Sequence, residues 1–156
     1  MLPDLADFAL TLAFVFSVIQ CIKKYAKAAA LCNFICITFC FLALIFSFAV
    51  SDFSLKVVFE NSHTAKPLIY KISGTWGNHE GSMMMLVWML SACGLVYSLR
   101  KHNNLALSIH GFVCALFIAY TKFTSNPFET FIAAPPNGMG LNPLLQDIGL
   151  ALHPPF

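Results

Sequence analysis

Charge is scarce in this chain. Asp, Glu, Lys and Arg make up only 10% of its 156 residues, against roughly a quarter in a soluble domain. The net charge is +2 and no run of Lys and Arg is long enough to form a basic face, which excludes nucleic acid as a partner. Tryptophan is limited to Trp76 and Trp88. No two of the six cysteines form C-x-x-C, so a zinc ribbon or a thioredoxin-like redox pair loses its main support. No nucleophile–base pair of hydrolase type is visible, and no Gly-rich phosphate loop follows a strand pattern.

Hydrocarbon is what the chain has in excess. Hydrophobic residues reach 58%, sixteen of them Phe, and the mean hydropathy is +0.75. These values predict an all-α integral membrane protein, since a segment in lipid must satisfy its own backbone. Four apolar segments are long enough to span: 5–22, 28–50, 83–99 and 105–123. They leave two longer polar stretches, 51–82 and 124–156, and the whole reads as a single membrane domain over 1–156. Within the second span, Asn33 and Thr38 are expected to face other helices, because lipid offers no hydrogen-bond partner. Pro67 argues against one continuous helix through 51–82. The apolar pieces at Val57, Val58 and Phe59 and at Leu68, Ile69 and Tyr70 fit short extended segments or the membrane surface. Ser82 is the expected N-cap of the third span.

The charges sort by side. Lys23, Lys24, Lys27, Arg100 and Lys101 occupy the first and third connections, where there is no acid. All seven acids (Asp4, Asp7, Asp52, Glu60, Glu80, Glu129 and Asp147) fall on the other side. The positive-inside rule then places the N-terminus, the 51–82 stretch and the C-terminus outside. A cleaved signal peptide would want positive charge before its apolar core, whereas Asp4 and Asp7 lead it and the lysines follow; that order predicts a retained anchor.

Cys32, Cys36 and Cys40 share one helix face. A metal stripe is one explanation; small apolar packing, the common role of a buried free Cys, is the other. Apart from His110 the spans hold almost no ionisable residue. A charged His110 would be costly there, so it needs a partner or neutrality, and a core or helix–helix hydrogen-bonding role is expected.

Two outer stretches carry the chemistry. The first is Trp76-Gly77-Asn78-His79-Glu80-Gly81-Ser82. Trp76 suits the membrane–water interface. His79 can ligate a metal or titrate near neutrality. Glu80 can serve as acid, base or cation partner, or only favour the positive end of the third helix. Gly77 and Gly81 allow a tight turn or the approach of a flat ligand. The second stretch, L-N-P-L-L-Q-D-I-G-L-A-L-H-P-P over 141–155, places His153 before Pro154 and Pro155. A residue before proline is biased to extended backbone, and Pro155 suits the first turn of a following helix.

The run Tyr70-Lys71-Ile72-Ser73-Gly74-Thr75 into W-G-N-H-E-G-S resembles the outer loop of the CcmF-type family of cytochrome c maturation proteins. Thr124-Ser125-Asn126-Pro127-Phe128 and the 141–155 stretch match the same family in the same order. The resemblance implies the N-terminal part of a haem lyase in the bacterial inner membrane, or alternatively the mitochondrial inner membrane. It implies haem as cofactor, received from a haem chaperone and attached covalently to the C-x-x-C-H thiols of apocytochrome c. It makes His153 a candidate axial ligand of haem iron. Trp76, Gly77, His79, Glu80, Gly81, Ser82, Pro154 and Pro155 belong to family signatures without an assigned step. The family's Trp-rich segment, its second outer His and its membrane-embedded haem ligands are absent. Any haem lyase role then needs membrane lipid and other haem lyase subunits, with haem bound weakly or not at all by this chain alone. An inactive truncated fragment, or a small membrane scaffold or transport subunit unrelated to haem, are the alternatives.

Overall fold

The computed structural model describes residues 1–100, 103–140 and Gly149. Four long helices follow the four apolar segments: α1 (Leu2–Gln20), α2 (Ala26–Val50), α5 (His79–Leu99) and α6 (Asn104–Thr124). All four are long and apolar enough to cross a membrane. Two short helices, α3 (Lys56–Asn61) and α4 (Leu68–Gly74), lie between α2 and α5. The segments at 57–59 and 68–70 are therefore helical, not extended. Pro67 is the N-cap of α4, which is where a residue lacking an N–H belongs. The only bridge among the described residues is Leu55 with Thr130.

The long helices close into a ring in which α1 packs on α2 and α6, and α5 packs on α2 and α6. Small residues let the backbones approach. Ala6, Ala9 and Ala13 of α1 are buried with Leu10, and on α2 Ala43 is buried with Ile37, Leu44 and Phe48. Such seams suit membranes, where helices associate by close packing and hydrogen bonds rather than by expulsion of water. The large apolar side chains on the outside, including Phe8, Phe46, Phe112 and Phe123, face where lipid would be.

Some polar residues inside the spans find partners across helices, whereas the buried Asn33 Oδ1 has none. Trp88 Nε1 donates to Thr38 Oγ1 at 3.2 Å, and the Trp88 ring stacks on Phe41. Asn33 is buried, as expected from lipid avoidance. Cys40 is buried in the α1–α2 seam, its Sγ donating to the Ala6 carbonyl at 3.2 Å, which is core packing and not ligation.

His110 joins three helices. Its Nε2 lies 3.0 Å from the Leu90 carbonyl, which can only accept, so the ring proton is on Nε2. Nδ1 then accepts from Gln20 Nε2 at 3.1 Å, while the same amide donates to the Leu107 carbonyl. The ring is neutral in this arrangement. Gly94 and Gly111 make the room: a Cβ on Gly94 would sit 2.2 Å from His110 Cε1, and one on Gly111 would sit 2.8 Å from Gln20 Cβ.

Candidate functional site

At the end of the bundle opposite the basic connections, α3, α4 and the 125–140 segment form a polar cap. Lys56 N donates to the Glu129 carbonyl and Phe131 N to the Ser54 carbonyl, both at 2.9 Å, which ties the 125–140 segment to the start of α3. Met139 N donates to the Phe59 carbonyl and Gly140 N to the Ser62 carbonyl. The chain is thus held against α3 up to the point where the C-terminal motif begins. His153, Pro154 and Pro155 lie outside the described residues.

The 76–82 stretch is a helix start, not a free loop. Asn78, not Ser82, is the N-cap of α5: its Oδ1 accepts from Gly81 N at 2.7 Å. Its Nδ2 donates back to the Gly74 carbonyl at 2.7 Å, joining the end of α4 to the start of α5. The expected cap at Ser82 is displaced by one turn: Asn78 has the extended backbone of an N-cap, and the helix has already begun at His79. Ser82 is inside the first turn, its Oγ donating to the His79 carbonyl. Gly81 is buried where a Cβ would meet the Thr75 carbonyl oxygen at 1.5 Å, so no other residue fits without moving backbone. Gly77 donates its N–H to the Ser73 carbonyl. It does not use a positive φ; among the described residues only Ser51 and Gly140 do. Trp76 is half-buried against the core.

His79 and Glu80 are left for chemistry. The His79 ring is exposed, edge-on to Tyr120, with Nε2 3.4 Å from the Tyr120 hydroxyl. Tyr120 also lines an open apolar groove of about 450 Å³ on the outer face of α5 and α6, with Met83, Leu116 and Phe117 as its other walls. Glu80 faces a small polar cleft with Lys56, Glu60, Asn126 and Glu129. It also sits in the first turn of α5, where the helix dipole favours an anion.

Asn126 brings the second motif to the same place. Its Oδ1 accepts from Phe128 N at 3.0 Å, and its Nδ2 donates to Asp7 Oδ1 at 2.9 Å. Asp7 Oδ1 also receives Lys122 Nζ at 2.5 Å. Sequence reasoning missed this pair by treating Asp7 as a flank and the spans as nearly free of charge. Both residues lie within helices, α1 and α6. The signal was present: opposite charges inside two apolar segments, where each needs the other. Elsewhere in the cap, burial holds the Lys66 ammonium below its usual pKa, and its Nζ is buried without a hydrogen-bond partner.

No group of three or more His, Cys, Asp and Glu among the described residues is placed to share a metal ion. For a haem the fit is partial. His79 offers an exposed imidazole beside an apolar, aromatic-lined groove, which suits one face and one axial bond. The described residues bring no second free imidazole to that groove. His63, the other described imidazole of the cap, lies against Asn137 and the Ala65 N–H.

Comparison with known proteins bears on this end of the molecule. Residues 76–156 match the model of a family described as cytochrome C assembly protein. The whole chain is 41% identical to the cytochrome c-type biogenesis protein ccl1 of Rhodobacter capsulatus and 36% identical to CcmF of Haemophilus influenzae, covering 27% of each. It is 41% identical to CycK of Rhizobium meliloti, covering 26% of that protein. The chain thus spans about a quarter of the length of these curated relatives. A solved structure of the cytochrome c haem lyase CcmF superposes with a TM-score of 0.78 over 84% of this chain and 25% of its own, at 24% identity. That likeness establishes the fold.

Proposed function

Because the chain belongs to the cytochrome c assembly protein family, we propose that it is the N-terminal part of a cytochrome c haem lyase in a bacterial inner membrane. In this role it helps receive haem from a haem chaperone and helps present it for covalent attachment to apocytochrome c. The observation that carries the proposal is convergence. The two signature stretches that the structure describes, 76–82 and 124–128, meet at one end of the bundle, where Glu80 and Asn126 line the same polar cleft. They leave His79 and Glu80 turned away from the fold's own needs.

Haem, when bound, would supply the vinyl groups that the thiols of apocytochrome c attack. This chain's own residues position and shield. His153 is the residue proposed to hold the iron, and His79 would present a further imidazole beside Tyr120 on the apolar wall. Met83, Leu116 and Phe117 keep water from an apolar face. Glu80 and its neighbours keep the aqueous side polar. One imidazole and one apolar wall among the described residues make only part of a haem cage.

The test is purification of a tagged full chain from its native membrane. The expected result is a co-purifying membrane protein and a haem absorbance band. Recovery of the folded chain with neither would overturn the proposal.

A further inference from the structure

At the basic end, away from the signature motifs, a cavity of about 380 Å³ opens between the start of α2 and the end of α5. Its walls are Ala28 and Leu31 of α2 and Leu95, Ser98 and Leu99 of α5; Lys24 and Lys27 complete the lining. The Ser98 hydroxyl is turned back onto the Leu95 carbonyl at 2.7 Å, so it adds no free polar group to the wall. Lys27 and Leu31 are one helical turn apart on the same face, which sets a charge one turn from the slot.

The two lysines have no carboxylate to neutralise them. Among the described residues the side-chain ion pairs are Lys56 with Glu129 and Lys122 with Asp7, both at the other end. Lys24 Nζ lies over the Tyr25 ring, 5.3 Å from its centroid, and Tyr25 is itself exposed as an interfacial aromatic would be. Lys23 and Arg100 add further positive charge on the same connections, and no acid lies in either. An apolar slot roofed by unneutralised cations matches a molecule with a hydrocarbon tail and an anionic head.

We propose that this seam is a binding site for an anionic phospholipid, with an acyl chain in the slot and the headgroup phosphate on Lys24 and Lys27. Basic recesses between membrane helices hold lipid headgroups by this combination of charge and fit. A neutral lipid would fill the slot but forgo the lysines; a partner helix would have to bring a carboxylate to each of them. The site is independent of the haem reading and would hold if that reading failed.

The experiment is native mass spectrometry of the full chain released from membranes, titrated with phosphatidylglycerol and with phosphatidylcholine of the same acyl chains. The wild-type chain is expected to retain phosphatidylglycerol preferentially. Lys24→Gln with Lys27→Gln should lower that retention by roughly fivefold per lysine, from about 1 kcal/mol each, and leave phosphatidylcholine unchanged. Leu31→Trp, which fills the slot without altering charge, should lower retention of both. Lys56→Gln at the opposite end should change neither. Equal retention of the two lipids by the wild type, or unaltered phosphatidylglycerol retention in the double variant, overturns the proposal. Displacement of the lipid by millimolar inorganic phosphate also overturns it, because that would make the lysines a simple anion site.

Discussion

Two residues inside apolar helices show how a charge survives there. Asp7 and Lys122 stabilise each other at the cap end, with Asn126 supplying a further donor to the same carboxylate oxygen. Removing one partner leaves the other partly buried and uncompensated. Asp7→Ala is expected to lower stability by roughly 1–3 kcal/mol, and Asp7→Ala with Lys122→Met to recover most of the loss. Thermal unfolding in detergent reads both, and additive losses in the double variant would show that the pair is not coupled. Lys66 makes the opposite case. Its folded-state pKa is lowered by burial, so its charge costs stability at every pH below that value. The cost fades as pH rises through the lowered folded pKa toward the ordinary value of 10.5, because both states then lose the proton. Lys66→Met should therefore raise the melting temperature at neutral pH, with a gain that shrinks in alkali. A melting temperature unchanged at pH 7 would mean that the ammonium reaches water.

Among the elements, the start of α5 carries the most information. Asn78 closes α4 onto α5 through one side chain that accepts from Gly81 and donates to Gly74. Loss of a good cap costs about 1 kcal/mol. Asn78→Ala is expected to cost at least that, since two bonds go, while Ser82→Ala should cost only a few tenths; unfolding midpoints of the two variants decide the order. The helix begins at His79, so the family signature is the first turn of a membrane helix together with the turn that leads into it. This explains its composition. Asn78 and Gly81 are required by the turn, and His79 and Glu80 are carried on it. At the other end, His110 and Gln20 join α1, α5 and α6 where Gly94 and Gly111 allow contact. Interhelical bonds of this kind average about 0.6 kcal/mol in membranes, so their value lies more in register than in stability.

For the whole molecule, the ring of four helices keeps its described acids at one end, where Lys56 and Lys122 pair with two of them, and leaves Lys23, Lys24, Lys27 and Arg100 without acids at the other. The acidic end carries the signature stretches and the basic end the lipid slot. Within an assembled haem lyase, His153→Ala is expected to lower the haem retained. His79→Ala should do the same to a smaller degree without loss of the chain from the complex. The readout is haem absorbance per mole of complex. If haem content is unchanged by His153→Ala with all other subunits present, His153 is not a ligand. If His79→Ala and Trp76→Ala both abolish assembly, the signature acts in folding alone.

The linear sequence determined the membrane, the four spans, the segregation of charge and the family, because each is carried by composition, by runs of hydrocarbon or by contiguous motifs. It also determined that His110 needs a partner or neutrality, since a charge in a span is costly wherever it sits; the bonds to Leu90 and Gln20 came from the packing. Tertiary structure decided the rest. Asp7 and Lys122 are far apart in the chain, and only helix packing makes them a pair. The expected cap is Ser82; the turn out of α4 starts the helix earlier and gives the cap to Asn78, which also reaches the Gly74 carbonyl. His79 could be tied to Tyr120 and its groove only once α5 lay beside α6. The 76–82 stretch is thus recognisable from residue types alone, but its division into turn-forming and outward-facing residues depends on contacts that exist only in the folded bundle.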